Sequence, residues 1–384
     1  MIERSIAEQV LENAGWFPIV SVTGPRQSGK STLIREVFRD YEYVNLEDER
    51  VYNIVRAAPM DFILEHPHRL IIDEAQRVPG LFDAIQVAAD ESGEPGRCIL
   101  SGSQNFLLAK NITQTLAGRV GVLKLMPLSY KEALTVEELT PDEFMLRGGY
   151  PRLYDANIPP RVFYRNYVST YVERDAAGFL GPRSLVPFQT FLGLCAQSTG
   201  NLVNASRLAN DVGVARATID SWLSILETSY VVFRLHPYHA NLRKRLTKTP
   251  KLYFYDTGLL CHVLGIHTLE QLRDSEFRGA VFENLIIEET LKRHMNAGDE
   301  PRMFFYRDDS KMEVDLVDLT DPHAAELIEI KASQTYQPAF VRHLESVGCD
   351  LGISEERRYL VMRSPKSATI SGMKVWSAHD WLTR

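Results

Sequence analysis

One stretch near the start of the chain limits the fold more than any other: Ile19 to Arg35, reading IVSVTGPRQSGKSTLIR. An apolar run enters a glycine-bounded loop, and an amphipathic segment leaves it. Gly24-Pro25-Arg26-Gln27-Ser28-Gly29-Lys30-Ser31 satisfies the GxxxxGK(S/T) spacing of a phosphate-cradling loop. Each part has a physical task. Val20 to Thr23 end a buried strand. Gly24 and Gly29 let backbone N–H groups turn toward phosphate oxygens. The helix opening near Lys30 adds the positive end of its dipole. Lys30 is placed for the β- and γ-phosphates, and the Ser31 hydroxyl for Mg²⁺. With a strand before and a helix after, the stretch predicts a nucleotide site lined by Gly24, Gln27, Ser28, Gly29, Lys30, Ser31 and Thr32.

Further strands of an α/β sheet follow. Tyr41 to Leu46 alternates apolar and polar residues and reads as a second strand. Arg69-Leu70-Ile71-Ile72-Asp73-Glu74 is an apolar run ending in two acids. Strand ends of an open α/β sheet converge beside the loop. Asp73 is expected to hold Mg²⁺ through its water shell and Glu74 to polarise the attacking water. Cys98 to Gln104 is a third apolar run ending in small polar residues, and fits a strand whose last side chain senses the γ-phosphate. Ser103 is the first choice for that sensor and Gln104 the second. Arg119 is a candidate arginine finger, in cis or on a neighbouring subunit. A salt-bridged surface arginine is the competing reading.

The blocks GPRQSGKST, LIIDEAQ, LSGSQNF and LAGRV, with PLSYKEA after them, resemble the bacterial and archaeal AAA-type ATPases of the AAA_14 kind that carry a DUF4143 C-terminal region. The resemblance covers essentially the whole chain. It implies an AAA+ module that binds and hydrolyses ATP with Mg²⁺.

At 384 residues the chain is long enough for two or three domains. No segment carries the roughly eighteen uninterrupted apolar residues of a membrane span, and MIERSIAEQVLENAGW lacks the layout of a signal peptide. A cytoplasmic location without membrane contact is therefore expected. Four scattered cysteines form no CxxC pair, which argues against a zinc or disulfide framework. A net charge of −7 disfavours a uniformly basic nucleic-acid binder and leaves local basic patches open.

In the middle region, Arg161 to Ala176 spaces Val162, Tyr164, Tyr167, Val168, Tyr171 and Val172 at helical intervals, which reads as a packed connector. Ser206 to Asp211, a Val-Gly-Val turn, and Ala215 to Glu227 give a helix-turn-helix layout, with Ile219, Trp222, Leu223 and Leu226 inward. Two apolar runs, Tyr230 to Leu235 and Leu252 to Tyr255, flank the basic segment His239 to Lys248, which makes a winged helix with a basic wing. Arg216, Thr218 and Ser221 would then face a DNA groove, while Arg243, Lys244, Arg245 and Lys248 meet phosphates. Winged helices also mediate protein contacts, so a protein partner stays open.

The last third begins with a long amphipathic helix, Glu276 to Arg293, carrying Glu283. Strands follow at Arg302 to Arg307, Glu313 to Val317 and Ala325 to Lys331. Glu329 and Lys331, two apart on one strand, share a face. Asp315 can come alongside from the neighbouring strand. Such a group can hold Mg²⁺ and activate a water for phosphodiester cleavage. It resembles the core of the PD-(D/E)xK nucleases. That resemblance carries the family's positions onto Glu283, Asp315, Glu329 and Lys331, with Asp315 and Glu329 as metal ligands. Val314-Asp315 stands where that family has Pro-Asp.

The sequence therefore predicts three α/β and helical parts. They are an AAA-type P-loop ATPase domain over 1–136, a helical connector with a winged helix over 137–265, and a restriction-endonuclease-like α/β domain over 266–384. Action on DNA is the first reading. A nucleotide-dependent switch binding a protein partner, with an inactive nuclease-like fold, is the alternative. A finger supplied in trans would require a homo-oligomer.

Overall fold

The computed structural model describes residues 2–102, 115–172, 185–238, 249–308 and 312–384. The chain divides into two compact units. One comprises Met1–Pro127 with Met295–Gly298, the other Leu128–His294 with Asp299–Arg384.

The first unit is built on a parallel sheet of β1 (Ile19–Thr23), β2 (Glu42–Asn45), β3 (Leu70–Asp73), β4 (Cys98–Ser101) and β5 (Val120–Lys124). Their order is β2-β3-β4-β1-β5. Strands buried on both faces must be apolar at every position, and IVSVT, LIID and CILS nearly are. Alternation then deals successive residues to opposite faces. Ile19, Leu70, Ile72, Cys98 and Leu100 join one core with Phe62, Ile63, Leu81, Phe82 and Ile85. Val20, Val22, Ile71 and Ile99 join the other with Val10, Leu33 and Ile34. The helices Ala7–Trp16 and Lys30–Val37 thus cover one face. Glu49–Ala57, Pro59–Glu65 and Gly80–Ser92 cover the other.

The order of the strands positions the chemistry. β4 lies between β1, which leads into the glycine loop, and β3, which ends in Asp73. Parallel register brings Thr23, Ser101 and Asp73 to one edge of the sheet, since Val22 pairs with Ser101 and Ile72 with Leu100.

The second unit holds β6 (Val232–Pro237), β7 (Lys251–Phe254), β8 (Met303–Arg307), β9 (Glu313–Asp318), β10 (Glu326–Lys331), β11 (Arg358–Met362), β12 (Ala368–Ile370) and β13 (Met373–Ser377). They form one sheet in the order β12-β13-β11-β10-β9-β8-β6-β7. The helices Ala205–Val212 and Arg216–Thr228 flank a turn at Gly213, whose φ of +79° suits glycine. Ile219, Trp222, Leu223 and Leu226 are buried as the spacing predicts. Phe188 and Phe191, on Leu185–Gln197, each pack 5.4 Å from the Trp222 ring. β6 and β7 form the antiparallel hairpin expected after the second helix. It is not a free-standing wing: β6 also pairs with β8, through His236↔Phe304 and Pro237↔Phe305. The connector helix runs Pro160–Tyr167 and passes into a π turn, Val168–Val172. Tyr164 is packed there, its hydroxyl donating to Asp256 Oδ1 at 2.6 Å.

The helix Arg278–Asn296 is more deeply set than an amphipathic reading implies. Phe282, Leu285 and Ile286 are buried, and so are Glu288, Glu289 and Lys292. The Lys292 ammonium lies 2.8 Å from Glu289 Oε1 and 3.7 Å from Glu288 Oε1. Lys292 and Glu289 thus form a buried pair, while burial drives the pKa of neighbouring Glu288 well above its usual value.

Candidate active site

The glycine loop is held in shape by backbone constraint. Gly24 has φ +143°, and a Cβ there would lie 2.1 Å from the Leu125 carbonyl oxygen, so only glycine fits. Gly29 takes a left-handed conformation at the N-cap of Lys30–Val37, and no side chain caps that helix end. Its first N–H groups therefore serve the loop. Arg4 clamps the loop from outside. Its guanidinium donates to the carbonyls of Ser28 at 2.8 Å and Met126 at 2.7 Å.

Lys30 is 6 % exposed, and its ammonium donates to the carbonyls of Gly24 at 3.0 Å and Pro25 at 2.7 Å. Burial lowers its pKa to about 8, against the opposing pull of Glu74 and Asp73. The neighbouring Arg26 is a smaller part of the same lowering. An ammonium short of counter-charge is what a polyphosphate would complete. Ser28 is fully buried and its hydroxyl has no hydrogen-bond partner. The donor set thus fits a magnesium nucleotide: uncapped helix N–H groups, a buried ammonium, an unsatisfied hydroxyl, and the Ser31 and Asp73 oxygens.

Asp73 is 4 % exposed and fully engaged. Its Oδ1 accepts from the Ser101 hydroxyl and from the Glu74 N–H at 3.1 Å, and its Oδ2 accepts from the Tyr43 hydroxyl at 2.6 Å. Glu74 sits at φ +55°, a left-handed conformation that non-glycine residues seldom adopt. Such strain turns the second acid out of the strand path. Gln76 donates to its carboxylate.

Ser103 and Gln104, the expected sensors, lie outside the described residues. Within them Ser101, at the end of β4, touches Asp73. The run CILSGS contained that signal, because the first polar residue after the apolar run is the one that register sets beside β3. Arg119 is placed at the opposite edge of the sheet. It precedes β5, its carbonyl accepts from Ile19 N–H at the start of β1, and its guanidinium pairs with Asp90. The loop follows the other end of β1, five residues along. At about 3.3 Å per residue that separates Arg119 from the loop by roughly 17 Å. Within this chain its guanidinium is engaged by Asp90, as the competing reading of a salt-bridged arginine expects.

In the second unit the predicted acids and lysine do come together. Lys331 Nζ lies 2.5 Å from Glu329 Oε1 and 3.4 Å from Asp315 Oδ2. Asp315 Oδ2 also accepts the Ile330 N–H at 2.8 Å. Glu283 joins from its helix, close enough for Asp315 to help raise its pKa after burial, the larger cause. Burial, then Asp315, likewise raises Glu329. Two residues of β7 were not anticipated. Lys251, with a side chain 4 % exposed, lies 2.6 Å from Glu313 Oε1 and 3.2 Å from Glu283 Oε1. The Tyr253 hydroxyl donates to Glu283 at 2.5 Å. The expected metal pair, Asp315 and Glu329, lies beside Lys331, and Glu329 Oε2 is buried without a hydrogen-bond partner. Among the described residues no group of three or more His, Cys, Asp or Glu side chains could hold a metal ion. Lys251 faces Glu283 and Glu313 instead.

On the helix-turn-helix, Arg216 is exposed and stands 3.8 Å from Asp220. Arg243, Lys244, Arg245 and Lys248 lie outside the described residues. Among the described residues no helix is long and apolar enough to cross a membrane.

Comparison with known proteins places this architecture. A family model described as an AAA domain matches residues 17–134. Two described as domains of unknown function, DUF8612 and DUF4143, match residues 139–270 and 278–381. The uncharacterized protein Rv2008c of Mycobacterium tuberculosis is 33 % identical over 363 residues, covering 92 % of this chain and 79 % of that protein. The chain belongs to this family. A more distant relative, the uncharacterized protein MJ1544 of Methanocaldococcus jannaschii, is 24 % identical over 327 residues, 76 % of this chain and 70 % of its own. Among solved structures, the Walker-type ATPase of Pyrococcus abyssi overlaps with a TM-score of 0.46 at 14 % identity, covering 68 % of this chain and 96 % of that one. That likeness is too loose to carry an inference. The family's AAA domain is of the P-loop ATPase type, and the glycine loop, Lys30, Asp73 and Glu74 all lie within its match.

Proposed function

We propose that the first unit binds ATP with Mg²⁺ and hydrolyses it, and that the protein uses this cycle to act on DNA. The observation that carries the ATPase reading is the buried Lys30 ammonium, held by neutral carbonyls beside Asp73 and Glu74. The N–H groups from Gly29 to Thr32 cradle phosphate oxygens, and Lys30 answers the β- and γ-phosphate charge. Ser31 and Asp73 hold the ion, whose bound charge offsets that building on the phosphates. Glu74, turned out of the strand, orients and deprotonates the attacking water. Ser101 fixes the rotamer of Asp73. Steady-state phosphate release tests this reading: Lys30→Ala and Glu74→Gln are both expected to abolish it, and Glu74→Gln to keep nucleotide binding. Turnover at the wild-type rate in Glu74→Gln would remove the assigned base.

The DNA part rests on the helix-turn-helix with its following hairpin, read as a winged helix. Its contacts are assigned to Arg216 and to Arg243, Lys244, Arg245 and Lys248. Duplex DNA should stimulate hydrolysis several-fold, and replacing Arg243, Lys244 and Arg245 by alanine should remove the stimulation.

One observation favours the second reading, a nucleotide-dependent switch with a protein partner and an inactive nuclease-like fold. Lys251 and Lys331 supply from within the chain the positive charge that a nuclease takes from metal. On that reading plasmid DNA incubated with Mg²⁺ stays intact with wild type and Lys331→Ala alike.

A further inference from the structure

One side chain in contact with Asp73, the expected magnesium residue, belongs to no motif. Tyr43 lies on β2, the edge strand, whose Asn45 pairs in register with Asp73. Its hydroxyl donates to Asp73 Oδ2 at 2.6 Å. Asp73 is one of the two residues assigned to the ion in the proposed function, on which this inference rests. With Ser101 and the Glu74 N–H on Oδ1, both carboxylate oxygens of Asp73 are occupied by protein donors. A carboxylate that holds magnesium through water must accept from that water, and on Oδ2 the phenol is the donor already in place.

The phenol is also tied to the loop's own helix. The Arg35 guanidinium, on Lys30–Val37, lies 4.8 Å from the centroid of the Tyr43 ring. A cation over an aromatic face attracts it. Arg35 thus holds the ring where its hydroxyl reaches Asp73.

We propose that the Tyr43 hydroxyl is a built-in competitor for magnesium, a positioning residue that occupies Asp73 Oδ2 until the ion displaces it. The nucleotide itself is held by the loop and Lys30, which Tyr43 does not touch. The hydroxyl therefore sets the magnesium concentration at which the site completes, and leaves metal-free nucleotide affinity alone. A purely structural tyrosine would move both together or neither.

The test uses the full chain and a fluorescent ATP analogue. Binding is measured first in EDTA, then during titration with Mg²⁺, for wild type and Tyr43→Phe. Affinities in EDTA are expected to agree within about twofold. The half-saturating Mg²⁺ concentration should fall by about three- to tenfold in the variant, the yield of one hydrogen bond that no longer has to break. Arg35→Gln keeps the hydroxyl but frees the ring, and should shift the curve the same way by a smaller factor. A higher half-saturation in Tyr43→Phe would make the hydroxyl part of the ion's shell and overturn the proposal. Coincident magnesium curves, with nucleotide bound normally, would overturn it while leaving the ATPase reading intact. No nucleotide binding by either protein under any condition would remove both.

Discussion

Both units set lysines among carboxylates, and they do so to opposite effect. In the first unit Lys30 donates to two carbonyls, and burial outweighs Glu74 and Asp73, so its proton is held loosely, near pH 8. In the second, burial also acts against Lys251 and Lys331, but direct contacts with Glu283, Asp315, Glu313 and Glu329 win, and both pKa values rise. The first lysine lacks charge that a ligand can bring. The second pair has its charge already. Composition alone does not separate a binding site from a closed network; what separates them is whether the lysine faces carbonyls or carboxylates.

The sharpest way to break this contrast is to delete a lysine from each side and compare activity. Lys30→Ala should lower phosphate release by about a hundredfold or more, because it removes charge stabilisation at the transferring phosphoryl group. Lys331→Ala should leave that rate within about twofold. Equal losses in the two variants would show that Lys30 contributes no more than general folding.

Stability should reverse the ranking. Lys251→Ala strands Glu283 and Glu313 without their cation and is expected to cost about 3 kcal/mol. A urea titration followed by tryptophan fluorescence reports this unit, since Trp222 and Trp381 are buried within it and Trp16 of the first unit is largely exposed. The penalty should shrink as the pH falls, because Glu283 already has a raised pKa and takes up a proton in place of the lost partner. Lys30→Ala, which removes a poorly compensated buried cation, should leave the urea midpoint of the first unit, followed in its own titration by circular dichroism, unchanged or raised. A destabilisation by Lys30→Ala as large as that by Lys251→Ala would erase the distinction.

What could be read ahead of the structure follows the same line. The glycine loop and the Asp73-Glu74 strand end are local patterns, so their spacing is complete within a few residues. The inward faces of the helix Arg216–Thr228 and of Phe282, Leu285 and Ile286 follow from period alone. Arg4, Tyr43 and Lys251 escaped because each acts on a residue distant in sequence: Arg4 on Ser28, Tyr43 on Asp73, Lys251 on Glu283. No period links such positions. Ser101 was nearer to hand, since strand register, rather than the size of the polar residue, decides which side chain of CILSGS meets Asp73. The surroundings of the carboxylate cluster were hidden for a related reason. Its acids were counted, but Lys251, which pairs with Glu283 and Glu313, arrives from another hairpin.

A smaller effect sharpens the comparison from the pH side. A lysine whose folded pKa is depressed costs stability below about pH 8 and regains it as pH rises toward the unfolded value. A bound polyphosphate favours the charged form, so nucleotide binding just above pH 8 should take up a proton at Lys30. Affinity should weaken as pH rises through that range. Titration calorimetry in buffers of different ionisation enthalpy measures the uptake directly. Lys30→Ala should show none, and uptake unchanged in that variant would assign the proton to another group.

The least effect is expected from Arg119. An arginine finger contributes about a thousandfold or more to hydrolysis. Arg119 instead begins the far end of β5 and pairs with Asp90, and Asp90 answers with a lowered pKa from that hydrogen bond. Arg119→Ala should therefore change phosphate release by less than about twofold, at every protein concentration tried. The concentration series matters because a finger reaching a neighbouring copy would give a loss that appears only where copies associate. A hundredfold loss confined to high concentration would move Arg119 from the surface pair into an assembled active site. The deciding charge would then come from a second chain, which neither lysine environment supplies.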